Sequence, residues 1–111
     1  MKDLIQYADF EKLDIRAGKI LSASAPEWSD KLIRYEVDFG PEIGERVLFS
    51  GIRKWYTPEE LVGKTIPVIV NMEPKKMGDD QSQGMAVMAD AEDGPKLIFL
   101  AETIVPGTVI R

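Results

Sequence analysis

The stretch Asn71-Met72-Glu73-Pro74-Lys75-Lys76-Met77-Gly78-Asp79-Asp80-Gln81-Ser82-Gln83-Gly84-Met85 gathers more polar chemistry than any other part of this chain. Its adjacent lysines, Lys75 and Lys76, are suited to neutralising phosphate oxygens. Asn71 and Ser82 carry the amide and hydroxyl groups that read base edges or ribose, and Met85 offers an apolar contact to a splayed base. The same residues also suit a surface hairpin whose methionines turn inward. From residue types alone both readings stay open. Aromatic platforms are sparse: Trp55-Tyr56 is the one adjacent aromatic pair, and an aromatic just before a helix is more often core than ligand-facing.

Other chemistry is largely excluded. The chain has no cysteine and no histidine. Without thiols there is no disulfide scaffold, thiol nucleophile or thiolate zinc site. Without imidazole the commonest general base, the usual triads and most transition-metal sites are gone. Carboxylates, lysine and tyrosine alone make a poor enzyme, so no catalytic residue, metal or cofactor is expected. Gly63-Lys64-Thr65 looks like the tail of a phosphate-binding loop, but Pro58 stands where that motif needs glycine, and the predicted helix precedes the loop. Asp79-Asp80 lacks the alternating oxygen ligands and terminal glutamate of a calcium loop, and Asp38, Glu42 and Glu45 read as surface charges.

At 111 residues, with 44% apolar and 30% charged side chains, the chain is expected to be one globular domain over 1–111. The net charge of −5 is unevenly spread. Between 46 and 76, six basic residues (Arg46, Arg53, Lys54, Lys64, Lys75, Lys76) face three acidic ones (Glu59, Glu60, Glu73) in a basic island flanked by acidic segments. The N-terminus has no signal-peptide pattern, and the longest apolar run, Ile66–Val70, is far short of the ~20 residues of a membrane span. A cytoplasmic location is expected on that basis.

The elements that must position these groups read as short strands. Between Leu32 and Phe39, Ile33, Tyr35, Val37 and Phe39 alternate with Arg34, Glu36 and Asp38, which predicts a strand with one buried face. Further strands are predicted at Asp14–Ser22, with Gly18 marking a bend or bulge, and at Arg46–Phe49, Thr65–Val70, Met85–Met88, Lys96–Leu100 and Thr108–Ile110. Gly40-Pro41, Asp93-Gly94-Pro95 and Pro106-Gly107 punctuate them as turns. Two short helices are expected. Tyr7–Leu13 has Asp9 as its candidate cap, and Thr57–Leu61 has Thr57 as cap, Pro58 in the first turn and Gly63 as its end. The expected class is all-β: a five-stranded Greek-key barrel of the OB-fold type, with a short helix between strands 3 and 4 and a C-terminal extension. An SH3-like barrel is the alternative. In an OB-fold the Asn71–Met85 segment would join strands 4 and 5, beside the face that takes oligonucleotides.

Several motifs, taken in order, resemble one family. They are Asp9–Ile20, Asp30-Lys31-Leu32, Arg46 with Ser50-Gly51-Ile52, Tyr56–Lys64, Asn71 with Pro74, Ser82-Gln83-Gly84-Met85 and Pro106-Gly107-Thr108. Together they resemble the tRNA-binding domain that stands alone or is appended to methionyl-tRNA synthetases, the tyrosyl enzyme of animals and endothelial monocyte-activating polypeptide. The resemblance implies an OB-fold that binds tRNA by shape without catalysis. It implies tRNA-binding roles for Lys31, Arg46, Ser50, Asn71, Ser82 and Met85, with Lys75 and Lys76 as phosphate contacts. It further implies a homodimer that uses the C-terminal segment, and an aminoacyl-tRNA synthetase as a candidate partner. A rival resemblance is to the export-related polypeptide chaperone CsaA, supported by Asp38-Phe39-Gly40 and Glu42-Ile43-Gly44. The Ser-x-Gly-Met at Ser82–Met85 argues for RNA instead. General single-strand binding ranks third, because it calls for more stacking aromatics than 8% supplies.

Overall fold

The computed structural model describes all of residues 1–111. In chain order its elements are α1 (Tyr7–Glu11), β1 (Ile15–Ser24), β2 (Ile33–Asp38), α2 (Gly40–Ile43), β3 (Glu45–Ser50), α3 (Pro58–Leu61), β4 (Thr65–Ile69), β5 (Lys75–Met77), β6 (Asp80–Ser82), β7 (Met85–Ala86), β8 (Met88–Ala91), β9 (Gly94–Leu97) and β10 (Val109–Ile110). The main sheet runs β3-β2-β1-β4-β7, every pair antiparallel, with β10 added to β1. This is the nearly closed, mostly β barrel of the OB type, with α3 between the third and fourth barrel strands as the sequence predicts. No helix is long and apolar enough to cross a membrane.

Alternation builds the walls. In β2, Ile33, Tyr35 and Val37 are buried while Arg34, Glu36 and Asp38 are not. With Ile20, Leu61, Ile66 and Val68 they form the centre of one core cluster. β1 serves two neighbours, pairing with β4 over Ile15–Lys19 and with β2 over Lys19–Ser24. Its register shifts between Ile20 and Ser22, so the bulge lies around Leu21 and not at Gly18. Gly18 has a different task. A Cβ there would lie 2.4 Å from Val37 Cγ1 and 2.5 Å from Phe39 Cε1, so bare backbone is what lets β2 and Phe39 close over β1.

The α3 signals act as read. Pro58 occupies the first turn, the Thr57 N–H donates to Glu60 Oε2 at 2.9 Å, and Gly63 leaves the helix at φ +85°. The Gly63 N–H donates to Ile20 O (2.8 Å) and the Ile20 N–H to Lys64 O (2.9 Å), fastening the helix end to β1. α1 is shorter than predicted and its cap differs. Gln6 is the capping residue and Asp9 lies inside the helix, its carboxylate accepting the Gln6 N–H at 3.1 Å. Gly40-Pro41, read as a turn, opens α2.

The second half departs most from expectation. The predicted strand Met85–Met88 splits after Ala86. Opposite Val87 stands Pro67, whose carbonyl accepts the Val87 N–H at 3.0 Å but which has no N–H to return. β8 then turns away to pair with β9 in a separate hairpin, so the predicted strand Lys96–Leu100 becomes Gly94–Leu97. Trp55 packs on Gly94, and Tyr56 Oη accepts the Leu97 N–H at 3.0 Å, holding that hairpin to the loop before α3. The polar segment after β4 contains a hairpin of its own, β5–β6.

Candidate functional site

One edge of β3 pairs with β2; the other is closed largely by side chains. The Gln83 N–H donates to Val47 O (2.8 Å), while Gln83 Oε1 accepts the Val47 N–H (2.9 Å). One glutamine thereby reproduces both bonds of a strand pair. Next to it Ser82 Oγ accepts the Phe49 N–H at 3.0 Å and donates to Gly84 O at 3.3 Å. Arg46 reaches across the seam, its Nη1 donating to Val70 O (2.6 Å) and Gln83 O (3.3 Å). These three residues hang the β5–β6 hairpin on β3. Ser82 is 5% exposed, so its hydroxyl faces the barrel wall.

Past Phe49 the seam opens into a cleft of about 460 Å³. Ser50, Lys75, Ser82 and Met85 line it, so the structure brings four of the eight predicted residues together. Met72, Met77 and Met88 join Met85 there, giving flexible, polarisable walls that adapt to a planar or apolar guest. Ser50 Oγ shares a 2.6 Å hydrogen bond with the buried Tyr35 hydroxyl. Burial pushes that phenol up to about 12, against the pull of the Ser50 bond, so Tyr35 stays neutral below the cleft. Register places Lys75 with Ser82 on one hairpin face, and Lys76 with Gln81 on the other, toward solvent.

The remaining predicted residues lie elsewhere. Lys31 is exposed in the β1–β2 loop and makes no ion pair. Asn71 is turned away from the cleft; its Oδ1 accepts the Asp14 N–H (2.8 Å) and its Nδ2 donates to Lys12 O (2.7 Å), tying the end of β4 to the α1–β1 junction. Sequence reasoning missed Gln83, Met72, Met77 and Met88. It also missed that Arg34 Nε donates to Asp80 Oδ2 at 2.9 Å. The Arg34 guanidinium, aided by the Gln81 N–H, holds the Asp80 carboxyl below its ordinary range, and only Asp79 of the acidic pair remains free of partners.

Charge is distributed to match. None of the six basic residues between 46 and 76 pairs with a carboxylate; the ion pairs belong to Lys12, Arg16, Arg34 and Lys96. Arg46 and Arg53 bind backbone carbonyls, Lys54 stands 5.6 Å over the Trp55 ring and Lys64 5.5 Å over Phe99. Lys75 and Lys76 make no ion pair, although Glu73 lines the same cleft as Lys75.

A family model described as "Putative tRNA binding domain" matches residues 15–109. A methionine–tRNA ligase of Xanthomonas campestris is 44% identical over 110 residues, covering 97% of this chain but 16% of that protein. This chain therefore spans about a sixth of that relative's length. Among solved structures, a MetRS related protein from Pyrococcus horikoshii superposes with a TM-score of 0.92 at 35% identity, covering 99% of this chain and 100% of that one. Chaperone CsaA from Bacillus anthracis superposes with a TM-score of 0.87 at 30% identity, covering 98% and 100%.

Proposed function

This chain belongs to the tRNA-binding domain family, and we propose that it acts as a non-catalytic, structure-specific tRNA binder in the cytoplasm, free-standing or as an accessory to a methionyl-tRNA synthetase. The observation that carries this reading is the cleft at the barrel seam. It joins Lys75, which makes no ion pair, to Met85 and Ser50, with Glu73 on the same wall, beside a hairpin that carries Lys76 outward. In the proposed complex Lys75, Lys76 and Lys31 meet phosphates, and Met85 packs on a base or ribose. Ser50 lines the wall, Ser82 and Arg46 hold the hairpin to β3, and Asn71 steadies the α1–β1 junction at the edge of the footprint. A homodimer is part of the proposal, since Leu4, Ile5, Tyr7 and Val109 leave apolar surface exposed toward the two chain ends. Pairing two copies would double the phosphate contacts on one RNA.

The test is a salt titration of tRNA binding. Each lysine that neutralises a phosphate contributes close to one unit to the slope of log K against log salt. Lys75→Ala/Lys76→Ala should therefore flatten the slope by about two units. An unchanged slope would move the RNA path off the hairpin. The methionine-lined cleft favours one second reading, a site for apolar polypeptide segments as in a chaperone. Suppression of the aggregation of an unfolded protein by the wild type, with no salt-sensitive tRNA binding, would establish it.

A further inference from the structure

Trp28 lies in the β1–β2 loop, on a built support. The Ser29 N–H donates to Pro26 O (3.3 Å), closing a turn around Glu27 and Trp28. Arg53 Nη1 donates to the carbonyls of both Pro26 and Ser29, and Ser29 Oγ accepts the Lys31 and Leu32 N–H groups at 3.2 Å each. The indole is backed by Phe49, ring centroids 6.0 Å apart, yet remains 56% exposed. The tip of the β5–β6 hairpin packs directly beside the ring. Gly78 is there at φ +61°, where a Cβ would come within 3.3 Å of the ring, and Arg34–Asp80 pins the tip in place. Trp28, Gly78, Asp79 and Asp80 line one open hollow. Asp80 is engaged; Asp79 is exposed and without a partner. Loop and hairpin thus offer an aromatic plane and a free carboxylate side by side.

We propose that Trp28 and Asp79 form a subsite for one unpaired guanine of the bound RNA. The indole stacks on the base, and the carboxylate accepts the two adjacent donors, N1–H and N2–H, of its Watson–Crick edge. Guanine is the base that shows two neighbouring donors to one carboxylate. Lys31, three residues along the same loop, and Lys76, on the same hairpin, are exposed, make no ion pair and suit the adjoining phosphates. The assignment rests on the RNA-binding reading above.

The test uses a Trp55→Phe background, in which Trp28 is the sole tryptophan fluorophore. It is titrated with the four nucleoside 5′-monophosphates and with an N-acetyl-arginine amide. Saturable quenching by GMP, at least about fivefold tighter than by the other three nucleotides, is expected, and Asp79→Asn should erase the preference while leaving quenching by stacking. In parallel, Trp28→Ala should weaken tRNA binding by roughly five- to hundredfold without changing the salt slope. Equal quenching by all four nucleotides, or none, overturns the subsite. So does tighter quenching by the arginine amide, which would assign the hollow to a peptide guanidinium. If Trp28→Ala fails to fold, the Asp79→Asn comparison decides alone. Intact tRNA binding in folded Trp28→Ala overturns the subsite and leaves the RNA reading standing. A GMP preference without tRNA binding by the unsubstituted protein overturns the RNA reading and retains the guanine site.

Discussion

Ser82→Ala separates a residue that touches the ligand from one that builds the site. Ser82 Oγ is the partner of the Phe49 N–H, at 3.0 Å in a buried setting at the cleft wall, and alanine removes that acceptor. An orphaned buried donor costs about 1–3 kcal/mol. With a urea dependence of ~1–3 kcal/mol per molar for a small domain, the midpoint should fall by roughly 1 M, at unchanged slope. Met85→Ala is the control. Met85 is 51% exposed, so its truncation should move stability by less than about 0.5 kcal/mol. Urea unfolding followed by far-ultraviolet circular dichroism gives the stabilities. tRNA binding at 10 °C, where both variants are folded, gives the affinities. The expected pattern is that Ser82→Ala loses stability and binding together, because the hairpin carrying Lys75 loosens at its root, whereas Met85→Ala loses binding alone. A Ser82→Ala midpoint equal to that of the wild type would refute the account of the seam. The hydroxyl would then not be supporting β3, and any loss of binding would mean direct contact with RNA.

Three further outcomes follow from the same geometry. Gly18→Ala should destabilise by about 1–3 kcal/mol in thermal unfolding, because its Cβ, 2.4 Å from Val37 Cγ1, overfills a core with nowhere to yield. Tyr35 has its pKa raised, so the stability it contributes is complete below the ordinary phenol value of 10.0 and is lost as pH climbs toward about 12. Tyr35→Phe should remove the most alkaline step from the 295 nm absorbance titration and flatten stability over that window. Asp80 has its pKa lowered, so its contribution is complete above the ordinary 3.8 and is lost as pH falls through the lowered value. Asp80→Asn should therefore reduce the acid loss of stability measured between pH 2 and 5, and an acid limb identical to the wild type would show that Arg34 does not hold the hairpin.

What the sequence disclosed is what has a period or a punctuation mark. The Ile33–Phe39 alternation and the Thr57-Pro58…Gly63 signals are local, so β2 and α3 are legible residue by residue. The β5–β6 hairpin is legible only as one of two readings and without strand bounds, because Lys75-Lys76-Met77 has neither β-branching nor alternation; Ser82 and Gln83 anchor it on β3. Barrel closure by the side chain of Gln83 repeats nothing. The Arg34–Asp80 pair spans 46 positions that no spacing rule connects. Of the eight candidate residues, Asn71, Lys75, Lys76, Ser82 and Met85 stand on chemical type as well as on the family resemblance, and Lys31, Arg46 and Ser50 on the resemblance alone. Type identifies groups able to meet RNA, but only packing shows that Arg46, Asn71 and Ser82 have protein partners for the same atoms.

The acidic net charge then has a measurable consequence. A polyanion at the cleft responds to charges within about one Debye length, ~8 Å at physiological salt. The molecule measures 42 × 35 × 28 Å, several such radii, so carboxylates on its far side are screened there, while Glu73 in the cleft wall and Asp80 on the same hairpin act at short range. At physiological salt the charges close to the RNA, Lys75 and Lys76 against Glu73, should therefore govern binding, and log K should fall linearly with log salt. At ~0.01 M salt the screening length reaches about 30 Å, comparable to the whole protein, and the net charge of −5 begins to repel the same RNA. The titration should consequently bend over at low salt, gaining less affinity than the line from higher salt extrapolates. A plot straight down to 0.01 M would mean that the remote carboxylates do not reach the bound RNA, and that the footprint lies on a face more strongly basic than the cleft.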